Sequence, residues 1–107
     1  MEPKDARRAP RQSFEVDVEI ANVESGIRIR DRTRDLNLYG CGVRASEPFA
    51  SGTRVLLKLT YADEKITATG RVIYGGADLG MGIAFTAVEP EDQRVLERWL
   101  SQSSTPL

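Results

Sequence analysis

From Phe14 the chain alternates between apolar and polar residues. Phe14, Val16, Val18 and Ile20 fall on one side, and Glu15, Asp17 and Glu19 on the other. A period of two predicts a half-buried β-strand. Asn22 to Gly26 carries turn chemistry. Ile27 and Ile29 then alternate with Arg28, Arg30, Arg32 and Arg34, which sets four arginines on one face of a second strand. The opposite face turns polar at Asp31 and Thr33, so this strand is expected to reach the end of its sheet there. After a turn at Gly40, Cys41 to Ala45 reads as a short third strand, broken by Glu47-Pro48 through Ser51-Gly52. Val55, Leu57, Leu59 and Tyr61 alternate again, and Ala62 to Lys65 forms a hairpin-type turn. Ile66, Ala68, Gly70, Val72 and Tyr74 share a face of the next strand. Gly75 and Gly76 with Asp78 turn the chain into a last strand through Met81, Ile83 and Phe85, where Gly80 and Gly82 signal close packing or a bulge.

The period changes at the end of the chain. Pro90 suits a first helical position, and Glu91 and Asp92 complement the helix N-terminus. Val95, Leu96, Trp99 and Leu100 follow at helical spacing and form one apolar stripe, read as the core-facing side of a helix. Six short strands followed by a helix predict a mainly β fold, a small six-stranded antiparallel β-barrel with a C-terminal α-helix. Residues 1–13, polar and holding Pro3 and Pro10, read as a flexible arginine-bearing arm. Residues 14–101 are the expected barrel and helix, and 102–107 a disordered tail. There is no internal repeat.

A chain of 107 residues with 40% hydrophobic content suits one domain with a buried core. The formal net charge of -1 argues against a general nucleic-acid binder. No run approaches the roughly 18 apolar residues of a membrane span, and the charged N-terminus lacks the apolar segment of a secretory signal. A cytoplasmic location is therefore expected. The single cysteine, Cys41, is expected in the core. The chain has no histidine, which removes the commonest general base and the commonest transition-metal ligand. No side chain is in place to activate a serine or threonine nucleophile, so an enzyme is not expected, nor a metal or bound cofactor.

Two short motifs carry the candidate chemistry. Arg7-Arg8-Ala9-Pro10-Arg11 frames an R-x-x-x-R spacing just before the first strand. Guanidinium forks match phosphates and the O6/N7 edge of guanine. Arginines in an N-terminal arm are ordinarily just solvated. Here Ala9-Pro10 narrows the chain's freedom and lowers the cost of ordering it around an anion. Asp35-Leu36-Asn37-Leu38-Tyr39-Gly40 frames D-x-N-x-x-G at a strand-to-strand turn. Asp35 offers a carboxylate to the N1–H and N2–H2 donors of guanine. The plain alternative is an Asx turn, in which Asp35 or Asn37 binds local backbone. Gly40 permits close backbone geometry. The motifs lie 23 residues apart, Gln12 to Arg34, about one hairpin, so both can meet at one end of the barrel.

In this order and spacing the two motifs resemble those of the PilZ domain, a bacterial receptor for cyclic di-GMP. The resemblance covers roughly residues 5–100. It implies a small β-barrel in which Arg7 and Arg11, helped by Arg8, contact guanine and phosphate, with Asp35, Asn37 and Gly40 completing the site. The family's second motif is D/N-x-S-x-x-G, and Asn37 stands at the serine position. Asparagine both donates and accepts, as serine does, but is larger. Ala6 occupies a position where an arginine accompanies an intercalated ligand dimer in the family, which favours a single ligand.

The resemblance implies a single-domain protein that binds cyclic di-GMP and relays the signal to a protein partner in motility, pilus or chemosensory machinery. The partners expected are the nucleotide and that protein, without nucleic acid or membrane insertion, the protein itself being a monomer or weak dimer. The alternative is a PilZ-like interaction module in motility or pilus regulation that does not bind the nucleotide. Two readings attend the arginines at 28, 30, 32 and 34. One is a solvated face paired with Glu15, Asp17 and Glu19 across the hairpin. The other has Arg34, and Arg32 beside it, adding positive potential to a phosphate site, with Arg44 and Arg71 as lesser candidates. Tyr74, near the Gly75-Gly76 turn, is a candidate rim aromatic.

Overall fold

The computed structural model describes residues 12–76 and 78–103. The elements are β1 (Gln12–Ser13), β2 (Asp17–Asn22), β3 (Arg28–Asn37), β4 (Gly40–Val43), β5 (Arg54–Tyr61), β6 (Glu64–Gly76), β7 (Gly80–Val88) and α1 (Pro90–Ser103). Strands β3, β2, β5, β6, β7 and β4 pair antiparallel in that order, and β4 returns to β3 to close a barrel. β1 is a two-residue extension on the far end of β3, with Gln12 opposite Leu36 and Ser13 opposite Asp35. The six-stranded barrel and the C-terminal helix match the architecture read from the alternation. Gln12 and Ser13, assigned to the arm, form β1, and the helix extends to Ser103.

The inward faces are the ones the period of two selects. Phe14, Val16, Val18 and Ile20 are buried, as are Val55, Leu57 and Leu59, then Ile66, Ala68 and Val72, then Met81 and Ile83. Cys41 is in the core. Each large aliphatic side chain fully removed from water contributes about 1.5–3 kcal/mol. Leu96, Trp99 and Leu100 bury the helix against the barrel, and Trp99 ends an edge-to-face series with Tyr61 (5.5 Å) and Phe14 (4.9 Å from Tyr61). Glu64, just after the β5–β6 turn, accepts a hydrogen bond from Trp99 Nε1 at 2.9 Å and pairs with Arg98. Asp92 in the first helical turn accepts from the Thr67 amide at 3.2 Å. These contacts fix α1 to β6. The β5–β6 turn is two residues, Ala62 (φ 50°) and Asp63 (φ 73°), the left-handed pair that suits a tight hairpin.

One expectation fails at Thr33. Its polarity suggested that β3 ends there, but β3 continues to Asn37 and Thr33 is only 1% exposed. Between β1 and β2 the chain leaves its regular ladder at Phe14–Val16. The Thr33 hydroxyl donates to the Phe14 carbonyl at 2.6 Å and accepts from the Val16 amide at 2.9 Å. Its own amide donates to the Val16 carbonyl at 2.9 Å. The hydroxyl is tolerated inside because it satisfies backbone groups that the irregular segment would otherwise leave unpaired.

Candidate ligand-binding site

The second motif spans the end of β3 and the turn into β4. Asn37 is buried, and its Oδ1 accepts hydrogen bonds from the amides of Tyr39 (2.7 Å) and Gly40 (3.1 Å). This is an Asx turn, and it closes β3 onto β4. Gly40 is glycine because of a close approach: a Cβ there would sit 2.1 Å from the carbonyl oxygen of Ile83 on β7. Tyr39 at the tip is 56% exposed.

Two bulges shape the outer wall beside this turn. On β3, Thr33 pairs with Val43 and Asp35 with Gly42, so Arg34 is the extra residue. Thr33 and Leu36 both point into the core, which leaves Arg34 and Asp35 together on the outer face. On β6, Val72 pairs with Ile83 and Tyr74 with Gly82, so Ile73 is the extra residue. Val72 points inward, and both Ile73 and Tyr74 lie outside. Alternation had put Tyr74 on the inner face with Ile66 to Val72; the bulge reverses it. A bulge cannot be read from alternation, because it is the single residue at which alternation lapses.

Between the bulges lie two facing glycines. Gly42 on β4 pairs directly with Gly82 on β7. The row Ser13, Asp35, Gly42, Gly82, Tyr74 therefore crosses β1, β3, β4, β7 and β6. A Cβ on Gly42 would meet Arg34 Nη2 at 2.6 Å and Asp35 Oδ2 at 2.8 Å. A Cβ on Gly82 would meet the Tyr74 ring at 2.2 Å. The missing side chains let the flanking groups lie down on bare backbone. Arg34 joins them: its Nε is 3.5 Å from Asp35 Oδ2, its Nη2 donates to the Tyr74 hydroxyl at 2.9 Å, and its Nη1 donates to the Leu79 carbonyl at 2.9 Å. Only 33% of the Arg34 side chain and 16% of the Asp35 side chain are exposed. Beside Arg34 opens a groove of about 410 Å³, lined by Arg34, Arg44, Ser46, Asp78 and Leu79 among others. The whole is a flat aromatic and guanidinium surface with a carboxylate at one edge and a second cation, Arg44, nearby.

The structure thus sets Asn37 and Gly40 in one turn and Asp35 two residues before it, on the outer face of β3 opposite Gly42. Arg7, Arg8 and Arg11 lie outside the described residues; Gln12, the first described residue, pairs with Leu36 inside the second motif. The chain enters the barrel next to Asp35. The arginine stripe on β3 divides. Arg28 and Arg30 lie against Glu19, and Arg32 against Glu15 and Asp17, which is the solvated, paired face. Arg34 alone of the four is drawn into the motif. Arg44 lines the groove and also pairs with Glu15 at 3.6 Å. Arg71 is elsewhere, opposite Arg54 on β5.

Sequence reasoning missed the Gly42–Gly82 platform and the part Tyr74 plays on it. A signal was present. Gly40 and Gly42, and Gly80 and Gly82, are two apart, so each pair lies on one strand face. Two such pairs on neighbouring strands mark a wall stripped of side chains. What alternation could not supply was the register that sets Gly42 against Gly82. Among the described residues no helix is long and apolar enough to cross a membrane, and no cluster of metal-ligating side chains occurs.

The PilZ domain family model matches residues 5–102, which takes in both motifs, the barrel and the helix. The chain belongs to the PilZ domain family, whose members are in general receptors for cyclic di-GMP and regulatory binding modules, with protein contacts among their interactions. Its fold is similar to that of the PilZ domain of CeSA from a cellulose-synthesizing bacterium, with a TM-score of 0.73 at 22% identity, covering 88% of this chain and 97% of that one. It is also similar to the Bacillus subtilis inhibitor of motility MotI/DgrA, with a TM-score of 0.69 at 18% identity, covering 86% of this chain and 48% of that one. At these identities the likeness concerns the fold. No curated protein sequence matches the chain.

Proposed function

We propose that this protein binds cyclic di-GMP between the Arg7–Arg11 arm and the outer wall built by Asp35, Arg34, Gly42, Gly82 and Tyr74, and relays the bound state to a protein partner. The observation that carries the reading is the composite geometry of the second motif. Asn37 holds the turn, the Arg34 bulge turns Asp35 outward, and paired glycines clear the wall beside it. Purine bases stack on aromatic rings and guanidinium planes, and Tyr74 and Arg34 present both. The Asp35 carboxylate, whose Oδ1 is buried and whose Oδ2 lies against Arg34, turns out of the wall on binding to accept from the N1–H and N2–H2 of guanine, which adenine does not offer. Arg7 and Arg11, with Arg8, supply charge to the phosphates from a chain that enters beside Asp35. The nucleotide bridges arm and wall, and the surface so formed is what the partner reads. The ligand is the only non-protein group this function needs, and no catalysis is involved. The likeness to an inhibitor of motility favours motility machinery as the output, in the cytoplasm.

Calorimetry tests the arm. Two charge-assisted contacts contribute about 1.5–3 kcal/mol each before ordering costs, so Arg7→Ala or Arg11→Ala should weaken binding about ten- to a hundredfold. Wild-type affinity in both variants would remove the arm from the site.

The second reading, a PilZ module that does not bind the nucleotide, rests on Asn37 at the serine position. The turn favours the first reading. Asn37 accepts from the amides of Tyr39 and Gly40, a task a serine hydroxyl also performs in turns. Asn37→Ser should therefore change affinity by less than about threefold. A rise from undetectable binding would establish the second reading instead.

A further inference from the structure

Among the directly opposed strand pairs in which both residues are charged, Asp17–Arg32, Glu19–Arg30 and Glu19–Lys58 are of opposite sign. Arg54–Arg71 is the like-charge exception. Like charges directly opposite each other destabilise an antiparallel pair. Both arginines are exposed, and among the described residues neither lies within ion-pair distance of a carboxylate, a state shared by Arg94 on α1, whereas Arg28, Arg30, Arg32, Arg34, Arg44 and Arg98 all have such a partner. The two guanidinium groups border a groove of about 350 Å³. Its other lining includes the hydroxyls of Thr69 and Thr86, 3.2 Å apart, and the side chain of Val23, which is 54% exposed. Arg71 lies three residues before Tyr74 on β6, on the other side of the Ile73 bulge.

We infer that this groove is a docking site for an acidic segment of a partner protein, a carboxylate entering between Arg54 and Arg71 and an apolar neighbour packing on Val23. Charge complementarity carries the assignment: two arginines with no carboxylate within ion-pair distance stand directly opposite on one strand pair and line one groove, and a carboxylate bound there offsets their like charge. The exposed valine and the overall charge of -1 favour a mixed acidic and apolar polypeptide over a phosphate backbone or an anionic membrane. The inference names the chemistry of the partner and so rests on the partner-binding part of the proposed function. It does not depend on where the nucleotide binds.

The test is fluorescence anisotropy on the full chain, with a short labelled peptide of Glu and Asp carrying two leucines. Binding is expected in the range of about 10–100 µM, falling as salt rises. Arg54→Glu with Arg71→Glu should reduce it by at least about tenfold, while Arg30→Gln leaves it unchanged. The single change Arg71→Glu separates docking from folding. It creates an opposite-charge pair with Arg54, so the melting temperature should rise by about 1–5 °C while peptide binding is lost. Nucleotide titration should be unaffected in these variants; peptide binding by a protein that ignores the nucleotide would leave this inference standing and remove only the nucleotide reading. Undiminished peptide binding in the double variant overturns the inference, as does loss of binding in Arg71→Glu accompanied by a fall in its melting temperature. Preference for a single-stranded oligonucleotide or for phosphatidylglycerol vesicles over the peptide overturns the assignment to protein.

Discussion

The two halves of β3 carry arginines at the same spacing and put them to different use. In the first half, Arg28, Arg30 and Arg32 stand over Glu15, Asp17 and Glu19 and remain largely in water; the Arg30 side chain is 82% exposed. In the second half, Arg34 is two-thirds covered and bonded to Asp35, Tyr74 and the Leu79 carbonyl. The residue type is the same and the face is the same. The neighbours differ. The first half faces a strand with side chains, and the second faces Gly42, with a bulge that brings Asp35 round to join Arg34. A charged stripe becomes a covered, hydrogen-bonded cluster where the opposing wall is cleared and one residue is inserted.

The comparison can be broken at several points. Gly40→Ala should have the largest effect. Its Cβ meets a backbone carbonyl that no rotamer change can move, so a loss of about 3 kcal/mol or more in thermal or denaturant unfolding is expected. Thr33→Val comes next. It strands the Phe14 carbonyl and the Val16 amide at about 1–2 kcal/mol each, and should lower stability by about 2–4 kcal/mol. Gly42→Ala is the sharper probe of function. Its Cβ meets only the ends of the Arg34 and Asp35 side chains, which can swing away. Stability should fall by about 1 kcal/mol or less, while cyclic di-GMP affinity in calorimetry falls about ten- to a hundredfold. Arg30→Ala should have the smallest effect. An exposed pair of this kind is worth below about 1 kcal/mol, so stability should stay within about 0.5 kcal/mol and affinity within about twofold. A Gly42→Ala protein that binds as well as wild type would erase the distinction between the two halves.

Much of this was legible in the sequence, and the parts that were not share a cause. The inward faces of β2 and β5, the apolar stripe of α1 and the barrel they imply follow from periodicity, because burial on one side forces a period of two or of 3.6. The second motif was legible as a turn, and the alternatives for Asn37 included the Asx geometry that is found. Thr33 fell on the correct, inward face, but its polarity was taken for the end of β3, because the backbone groups of Phe14 and Val16 that its hydroxyl satisfies lie on another segment. Tyr74 was misplaced because it follows a bulge, where the side chain's direction is set by register across the barrel, and alternation along one strand carries no information about it. Arg34 stood out in the sequence only as the arginine beside Asp35; that Gly42 and Gly82 face each other and clear the wall it lies on was not legible.

Amide NMR during a titration with cyclic di-GMP tests the composite site most directly. Resonances of residues 7–11, of 34–42, and of Tyr74 and Gly82 should shift together and saturate with one dissociation constant, while those of Arg28 to Arg32 stay in place. Shifts confined to one of these groups, or none at saturating nucleotide, would contradict the account.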